Sequence, residues 1–386
     1  MLFARAVPLI VLVLSSSAFA QSPPSPQDVT LSAADGTRLK GTYYAAPKPG
    51  PAVLLLHMCN TTRTSWEPLG RQLAAAGFHA LSFDYRGFGE SGGDRFDPAR
   101  AQEAQNIITN KWPGDIDTAY DFLLAQPGVD RARIGAAGGS CGVDNAIQLA
   151  RRHPEVKTLV LLAGGTTAAG QEFLAQSPWM PILASAAHDD GRVVDEMKWL
   201  LGFSSGSGNR LQEYRTGGHG TDMFAVHKDL EPAIVEWFAR HLVKDPVRVT
   251  TTAAQPGPSA RMAAALRAPG GGAKALADLK EARKANAPIA TPPEGVINAI
   301  GYELLQGGRA PDAVGIFELN VEAYPGSANT LDSLSDGYLA AGDKVKALEY
   351  ARKAIAALPG DTSAPPEFKQ QIRESAEGKI RQLGGS

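Results

Sequence analysis

The run Gly138-Gly139-Ser140-Cys141-Gly142 sets a serine among glycines, after the aliphatic stretch Ile134–Ala137 and before the helical stretch Val143–Arg152. A strand, a tight turn and a helix in that order lift a serine hydroxyl above a sheet, where a base can reach its proton. Glycines suit such a turn because side chains would meet the neighbouring chain. A serine hydroxyl alone is a poor nucleophile, so this pattern calls for a base and for a group that orients the base.

The chain has 7 histidines. His79 starts a strand, His153 and His241 lie near helix ends, and His227 lies near a helix start, so these read as structural. His219 differs. It sits in Gly217-Gly218-His219-Gly220, a flexible loop between the strand-like Leu211–Tyr214 and the last helix. From there an imidazole can swing over the sheet edge to a serine in mid-sheet. Its tautomer needs a carboxylate partner. The strand Ile182–Ala186 ends in Ala187-His188-Asp189-Asp190-Gly191, which offers Asp190, with Asp189 as the alternative. An oxyanion hole is also required. One donor is the backbone N–H of Cys141 at the helix start, where the dipole favours negative charge. The second comes from the loop His57-Met58-Cys59-Asn60, by the N–H of Met58 or of Cys59.

These residues need elements to hold them. Val29–Ser32 and Arg38–Tyr44 flank Asp35-Gly36, a hairpin signal. Val53–Leu56, Ala80–Phe83, Ile134–Ala137, Thr158–Ala163 and Ile182–Ala186 are continuous apolar runs, as strands buried on both faces require. Between them lie helical patterns: one capped by Ser65 and running to Gly77, one over Asp115–Ala125, and a closing one over Asp229–Leu242. Alternation of this kind predicts an α/β fold with a mostly parallel sheet flanked by helices.

Residues 28–242 resemble the α/β-hydrolase superfamily, near the branch of dienelactone hydrolases and prolyl-oligopeptidase-like esterases. Besides the serine turn, Asp84-Tyr85-Arg86-Gly87-Phe88-Gly89-Glu90-Ser91 resembles the superfamily's D-x-R-G-x-G-x-S stretch, which there is a structural loop. The chain order Ser140, Asp190, His219 matches as well. The resemblance implies hydrolysis of an ester, thioester, lactone or amide through an acyl-serine. There are departures. His57-Met58 stands where the family has His-Gly, so the oxyanion loop is bulkier. Dienelactone hydrolases proper use a cysteine in G-x-C-x-G, but Cys141 is followed at position 143 by valine. Thr166–Met180 is too short for a lid, which predicts an open site for small or flexible substrates. Phe173, Trp179 and Met180 are candidates for an apolar wall, and core packing serves them equally. Cys59 and Cys141 both fall on expected oxyanion loops, so they are either a disulfide bracing that hole or two separate thiols.

The division into segments is expected as follows. Met1–Ala20 reads as a signal peptide, with Arg5, the apolar run Ala6–Leu14 and Ala18-Phe19-Ala20 as a cleavage site. Residues 21–245 form the hydrolase-like domain, 246–272 a linker with AAQPGPS and PGGG breaks and a short helix over Met262–Arg267 between them, and 273–386 a helical domain. In the last segment Gly308, Ala313 and Pro325 recur as Gly342, Ala347 and Pro359, each 34 residues later. That period resembles the tetratricopeptide repeat, with Lys274–Asn286 and Phe368–Leu383 as capping helices.

Lys plus Arg is 38 and Asp plus Glu is 40, so no global field attracts nucleic acid or anionic lipid. Two cysteines exclude a disulfide scaffold. His188, Asp189, Asp190, His219 and Asp222 could be drawn as a metal cluster, but the triad and loop solvation account for them. No cofactor, metal or membrane anchor is expected. The sequence thus predicts an exported, periplasmic or secreted serine hydrolase with a small-molecule substrate. A protein or peptide partner is a possibility at the helical repeats. The second reading is a catalytically weak or inactive scaffold that binds proteins through those repeats.

Overall fold

The computed structural model describes residues 24–97, 100–249 and 255–384. The expected signal segment Met1–Ala20 lies outside the described residues. Eight strands form one sheet: β1 (Gln27–Ser32), β2 (Arg38–Tyr44), β3 (Gly50–Leu56), β4 (His79–Phe83), β5 (Val129–Gly139), β6 (Val156–Leu162), β7 (Ile182–Ala187) and β8 (Arg210–Tyr214). Their order is β1-β2-β4-β3-β5-β6-β7-β8. The pairs β1–β2 and β2–β4 are antiparallel, and the other neighbours are parallel. This is the α/β-hydrolase fold. β3, β4 and β7 are buried along their whole length, which explains their unbroken apolar sequences.

Helices α1 (Glu67–Ala75), α2 (Ala101–Asn110), α3 (Trp112–Leu124), α4 (Cys141–Arg152), α5 (Ala168–Gln176), α6 (Val193–Leu201), the short α7 (Met223–Val226) and α8 (Leu230–Ala239) fill the connections. One sheet face carries Trp112, Ile116, Ile147, Leu174 and Met197 from α3 to α6. The other carries Leu69, Leu73, Ile234 and Phe238 from α1 and α8. Some expected boundaries move. Ser65 does not cap a helix: a 3₁₀ turn over Arg63–Trp66 comes first, pinned by the Arg63 N–H to the buried Asp84 carboxylate at 2.7 Å. α3 starts at Trp112 rather than Asp115, with Pro113 in its first turn, where a proline has no hydrogen bond to lose. The closing helix stops at Ala239 and continues as a π-helical turn, Arg240–Lys244.

The stretch read as a linker, residues 246–272, contains α9 (Pro258–Arg267) and the start of α10 (Gly271–Lys284). Pro258 occupies the first turn of α9, and Gly270 adopts φ 69° before α10. The proline and glycine mark the ends of a helix instead of flexible chain. Ala263 of α9 is buried in the core under the sheet, and Leu266 is buried in the core of the following helices.

Those helices are α11 (Glu294–Gln306), α12 (Ala310–Ala323), α13 (Ala328–Ala340), α14 (Lys344–Ala357) and α15 (Pro366–Gln382). α11 and α13 begin and end 34 residues apart, and so do α12 and α14. Gly308 and Gly342 both take the left-handed conformation after the first helix of each pair, at φ 73° and 85°. Ala313 and Ala347 are fully buried, so the paired helices approach closely. α10 packs on α12 and α15 on α14.

Candidate active site

Ser140 closes β5, which lies between β3 and β6 near the middle of the sheet. Its backbone sits at φ 53°, ψ −120°, a region that costs a non-glycine residue about 1–3 kcal/mol. The surroundings enforce it. Ser140 N–H donates to the Leu162 carbonyl at 2.9 Å, and its own carbonyl accepts from Val143 N–H at 3.0 Å. A Cβ on Gly138 would overlap the Gly142 carbonyl, and one on Gly142 would meet the His57 carbonyl at 2.9 Å. The turn is therefore as tight as its glycines implied.

Cys141 begins α4, so its N–H points out of a helix N-terminus beside the serine. Cys59 and Cys141 form a disulfide, with Cα atoms 5.8 Å apart. Of the two states open in the sequence, the bridged one is found. It ties the loop after β3 to the serine turn, across 82 residues of chain.

Met58 is fully buried. Its carbonyl accepts from His57 Nδ1–H at 2.7 Å and from Thr61 N–H at 3.2 Å. Its sulfur accepts from Thr221 N–H at 3.4 Å. The same side chain packs against Gly139 and against Gly220, where a Cβ would overlap the sulfur. The bulk that replaces the family's glycine thus fills the space between the serine turn and the histidine loop. His57 is a neutral strut: its Nε2 accepts from Tyr85 N–H at 3.0 Å, and burial pushes its pKa down to about 4.

His219 follows β8 and Asp190 follows β7, both at the carboxyl edge that also carries Ser140. His219 Nδ1 lies 2.5 Å from Asp190 Oδ2. Asp189 has a different task. Its carboxylate accepts from the N–H groups of Gly217 and Gly218 at 3.0 and 3.2 Å. These bonds hold Asp189 below the usual carboxylate range, led by the one from Gly217. They also fix a loop in which Gly217, Gly218 and Gly220 all have positive φ. The hydrogen bond to Asp190 raises the His219 pKa above its ordinary value against the opposing effect of burial, and the charges of Asp190, Asp222 and Glu196 add to the rise. Met58 thus packs between the serine turn and the loop that carries His219, and His219 is bonded to Asp190.

Two residues near the site were not singled out in the sequence. Glu196 on α6 is half-buried, and its pKa is raised by burial first and then by the charges of Asp190 and Glu294. Arg192, two residues after Asp190, has Nη1 3.1 Å from Glu294 Oε2 and its guanidinium 4.2 Å over the Tyr324 ring. The signal for both was the acidic and basic run after Asp190, but its meaning depends on α11 packing there. On this side α11 stands near α6, with Gly295 next to the Glu196 carboxylate. Met180 is buried in the core, and Phe173 and Trp179 pack against that core, so packing accounts for all three.

The Asp84–Ser91 stretch is structural. Arg63 donates from Nη1 to Asp84 Oδ2 at 2.5 Å, and Arg86 bridges Asp115 and Asp35 at 2.7 Å each. Among the described residues no group of three or more His, Cys, Asp or Glu side chains could hold a metal ion. No described helix is long and apolar enough to cross a membrane.

Residues 47–208 match the model of a family described as serine aminopeptidase, S33. An uncharacterised protein of Mycobacterium tuberculosis is 31% identical over 161 residues, covering 41% of this chain and 52% of that protein. A thiohydrolase of Aspergillus aculeatus is 30% identical over 127 residues, covering 33% and 37%. The chain therefore spans about half the length, or less, of these curated relatives. Among solved structures, an esterase of Pyrococcus furiosus is 17% identical with a TM-score of 0.46, covering 61% of this chain and 97% of that one. A dienelactone hydrolase of Anabaena variabilis is 19% identical with a TM-score of 0.45, covering 57% and 100%. Strand order, the strained serine turn and the family match together give this chain an α/β-hydrolase fold, followed by a helical C-terminal region.

Proposed function

We propose that this chain is an exported serine hydrolase acting on esters or thioesters. The observation that carries the reading is the His219–Asp190 hydrogen bond, formed on loops that flank a serine held in a strained turn. His219 Nε2 takes the Ser140 hydroxyl proton as the oxygen attacks the substrate carbonyl. The tetrahedral oxyanion accepts from the N–H groups of Cys141 and Cys59, a choice supported by the disulfide that binds these two residues. The Met58 N–H is the alternative second donor. The oxyanion collapses, the carbon–oxygen or carbon–sulfur bond breaks, and His219 returns its proton to the leaving group. Water then attacks the acyl-serine, again deprotonated by His219, and the acid departs. The Ser140 hydroxyl makes no hydrogen bond among the described residues, and in this reading its bond to His219 forms when substrate fills the site.

Relatives described as thiohydrolases support the bond class. The apolar N-terminal run and a disulfide, which persists in oxidising compartments, support export to the periplasm or beyond. The helical region is proposed to be tetratricopeptide-like, on the 34-residue offset between its two helix pairs. The test is labelling with a small fluorophosphonate, read by intact mass. One adduct is expected on the parent protein and none on Ser140→Ala. Ester turnover by that variant should fall by at least about a thousandfold. Failure of the folded parent to react would overturn the reading.

A further inference from the structure

The face that α11 turns toward α6 encloses a cavity of about 180 Å³. From the hydrolase side it is lined by Glu196, Trp199, Leu200 and Phe203, and from the helical side by Gly295, Val296 and Ala299. The cavity adjoins the chain segment that packs on the serine turn. Gly165 is also in its wall, and the preceding Gly164 is so close to Ser140 that a Cβ there would overlap the Ser140 carbonyl. Gly164 N–H in turn donates to Met197 Sδ of α6 at 3.3 Å. Glu196 stands near enough to His219 and Asp190 for its charge to act on both.

The polar groups around the cavity are largely committed elsewhere. Thr166 donates its hydroxyl to Asp144 at 2.6 Å, and Gln171 Oε1 accepts from Arg267 at 2.9 Å. What remains inside is mainly aromatic and aliphatic, with the Glu196 carboxyl at one edge. The α11 wall is held in place from three directions. Arg192 reaches Glu294 and Tyr324. Arg267 of α9 binds Glu303 of α11 at 2.8 Å as well as Gln171 of α5. The start of α9 is sewn to the end of α6 by Ser259 N–H to the Gly202 carbonyl, at 3.1 Å.

The geometry points to this cavity as the pocket for one apolar substituent of the scissile ester or thioester, with α11 setting its size limit. The inference rests on the serine-hydrolase reading and deepens it. An apolar cavity of about 150 Å³ holds a benzene ring, so the group accepted here has about six carbons. The helical region thereby does what an inserted lid does elsewhere: it supplies a wall that the short Thr166–Met180 segment cannot build.

The experiment is a size profile measured on the full-length protein. Two ester series are used, one varying the acyl group from acetyl to octanoyl and one varying the alcohol at constant acetyl. Ala299→Phe and Val296→Phe fill the cavity from the helical side. Ala299 is exposed to the cavity, so its larger replacement leaves the helix core intact. Phe203→Ala enlarges the pocket from the other side. Val345→Phe, at a position 79% exposed on the distant α14, is the control.

The filling variants are expected to react with a small fluorophosphonate at the parental rate and to keep kcat/KM on the smallest ester within about twofold. They should lose tenfold or more on six-carbon groups in one of the two series, as a pocket deprived of space for a few methylenes does. Phe203→Ala should move the optimum to larger groups, and the control should change nothing. Parental size profiles in both series, with labelling intact, would overturn the pocket and leave the serine-hydrolase reading standing. An equal loss in the control would also overturn it. A folded parent that takes no adduct on Ser140 overturns both.

Discussion

Asp189 and Asp190 are adjacent carboxylates with separate tasks, and substitutions separate them. Asp190→Asn removes the bond that fixes the His219 tautomer, so kcat should fall by about 10³–10⁴-fold. That bond also leads the rise in the His219 pKa. In the proposed mechanism the base works unprotonated, so the acid limb of kcat/KM should lie above the ordinary histidine value and move to lower pH in the variant. Asp189→Ala instead frees two loop N–H groups that water can reach, and about a tenfold loss with an unmoved limb is expected. Glu196→Gln removes a charge that raises His219, so the limb should shift down while kcat on small esters is kept. A kcat/KM profile against pH for each variant checks all three. The proposed triad of Ser140, His219 and Asp190 could be picked out in the sequence because each residue is marked locally, by glycines or by a polar turn after an apolar strand. The choice between the two aspartates rested on spacing alone; in the structure Asp190 bonds His219 and Asp189 bonds the glycine loop. Glu196 had no local mark, because its environment is made by α11, about a hundred residues on.

The serine turn and the loop after β3 are separate pieces of chain joined by one covalent bond. Closing a loop of 82 residues restricts the denatured chain by about 4–5 kcal/mol on the chain-entropy model. Reduction should therefore lower the urea midpoint, and the Cys59→Ser/Cys141→Ser protein should show the same loss without reductant. The fluorophosphonate rate should drop as well, since the two proposed oxyanion donors then keep register only through packing. Gly142→Ala should be harsher for the site: its Cβ would press on the His57 carbonyl and open the turn, abolishing labelling. The strands could be read from the sequence because burial on both faces demands unbroken aliphatic runs. The helices of the second half were marked by their repeat. α9 was read only over Met262–Arg267, because Pro258 is a breaker in composition but a helix start in place, and Gly270 turns the chain into the next helix.

The contact between the two halves is made largely by long polar side chains. Arg192→Ala removes an ion pair and a cation–π contact that are partly solvated, so a cost of about 1–2 kcal/mol is expected. It should appear as a melting temperature lowered for the whole molecule, read by calorimetry. Nothing in the sequence foretold this seam, because its partners come from loops and helices that only the fold brings together. The deeper tie is α9, which buries Ala263 in one core and Leu266, one turn later, in the other. Neither core can release that helix without exposing apolar surface in both. Heating should therefore give one calorimetric transition rather than two, with van't Hoff and calorimetric enthalpies equal. Leu266→Ala should uncouple the cooperative units, so that the helical region melts first as a separate peak. A hydrolase domain and a repeat array that read as two modules in the sequence would then behave as one thermodynamic object, divisible by a single side chain.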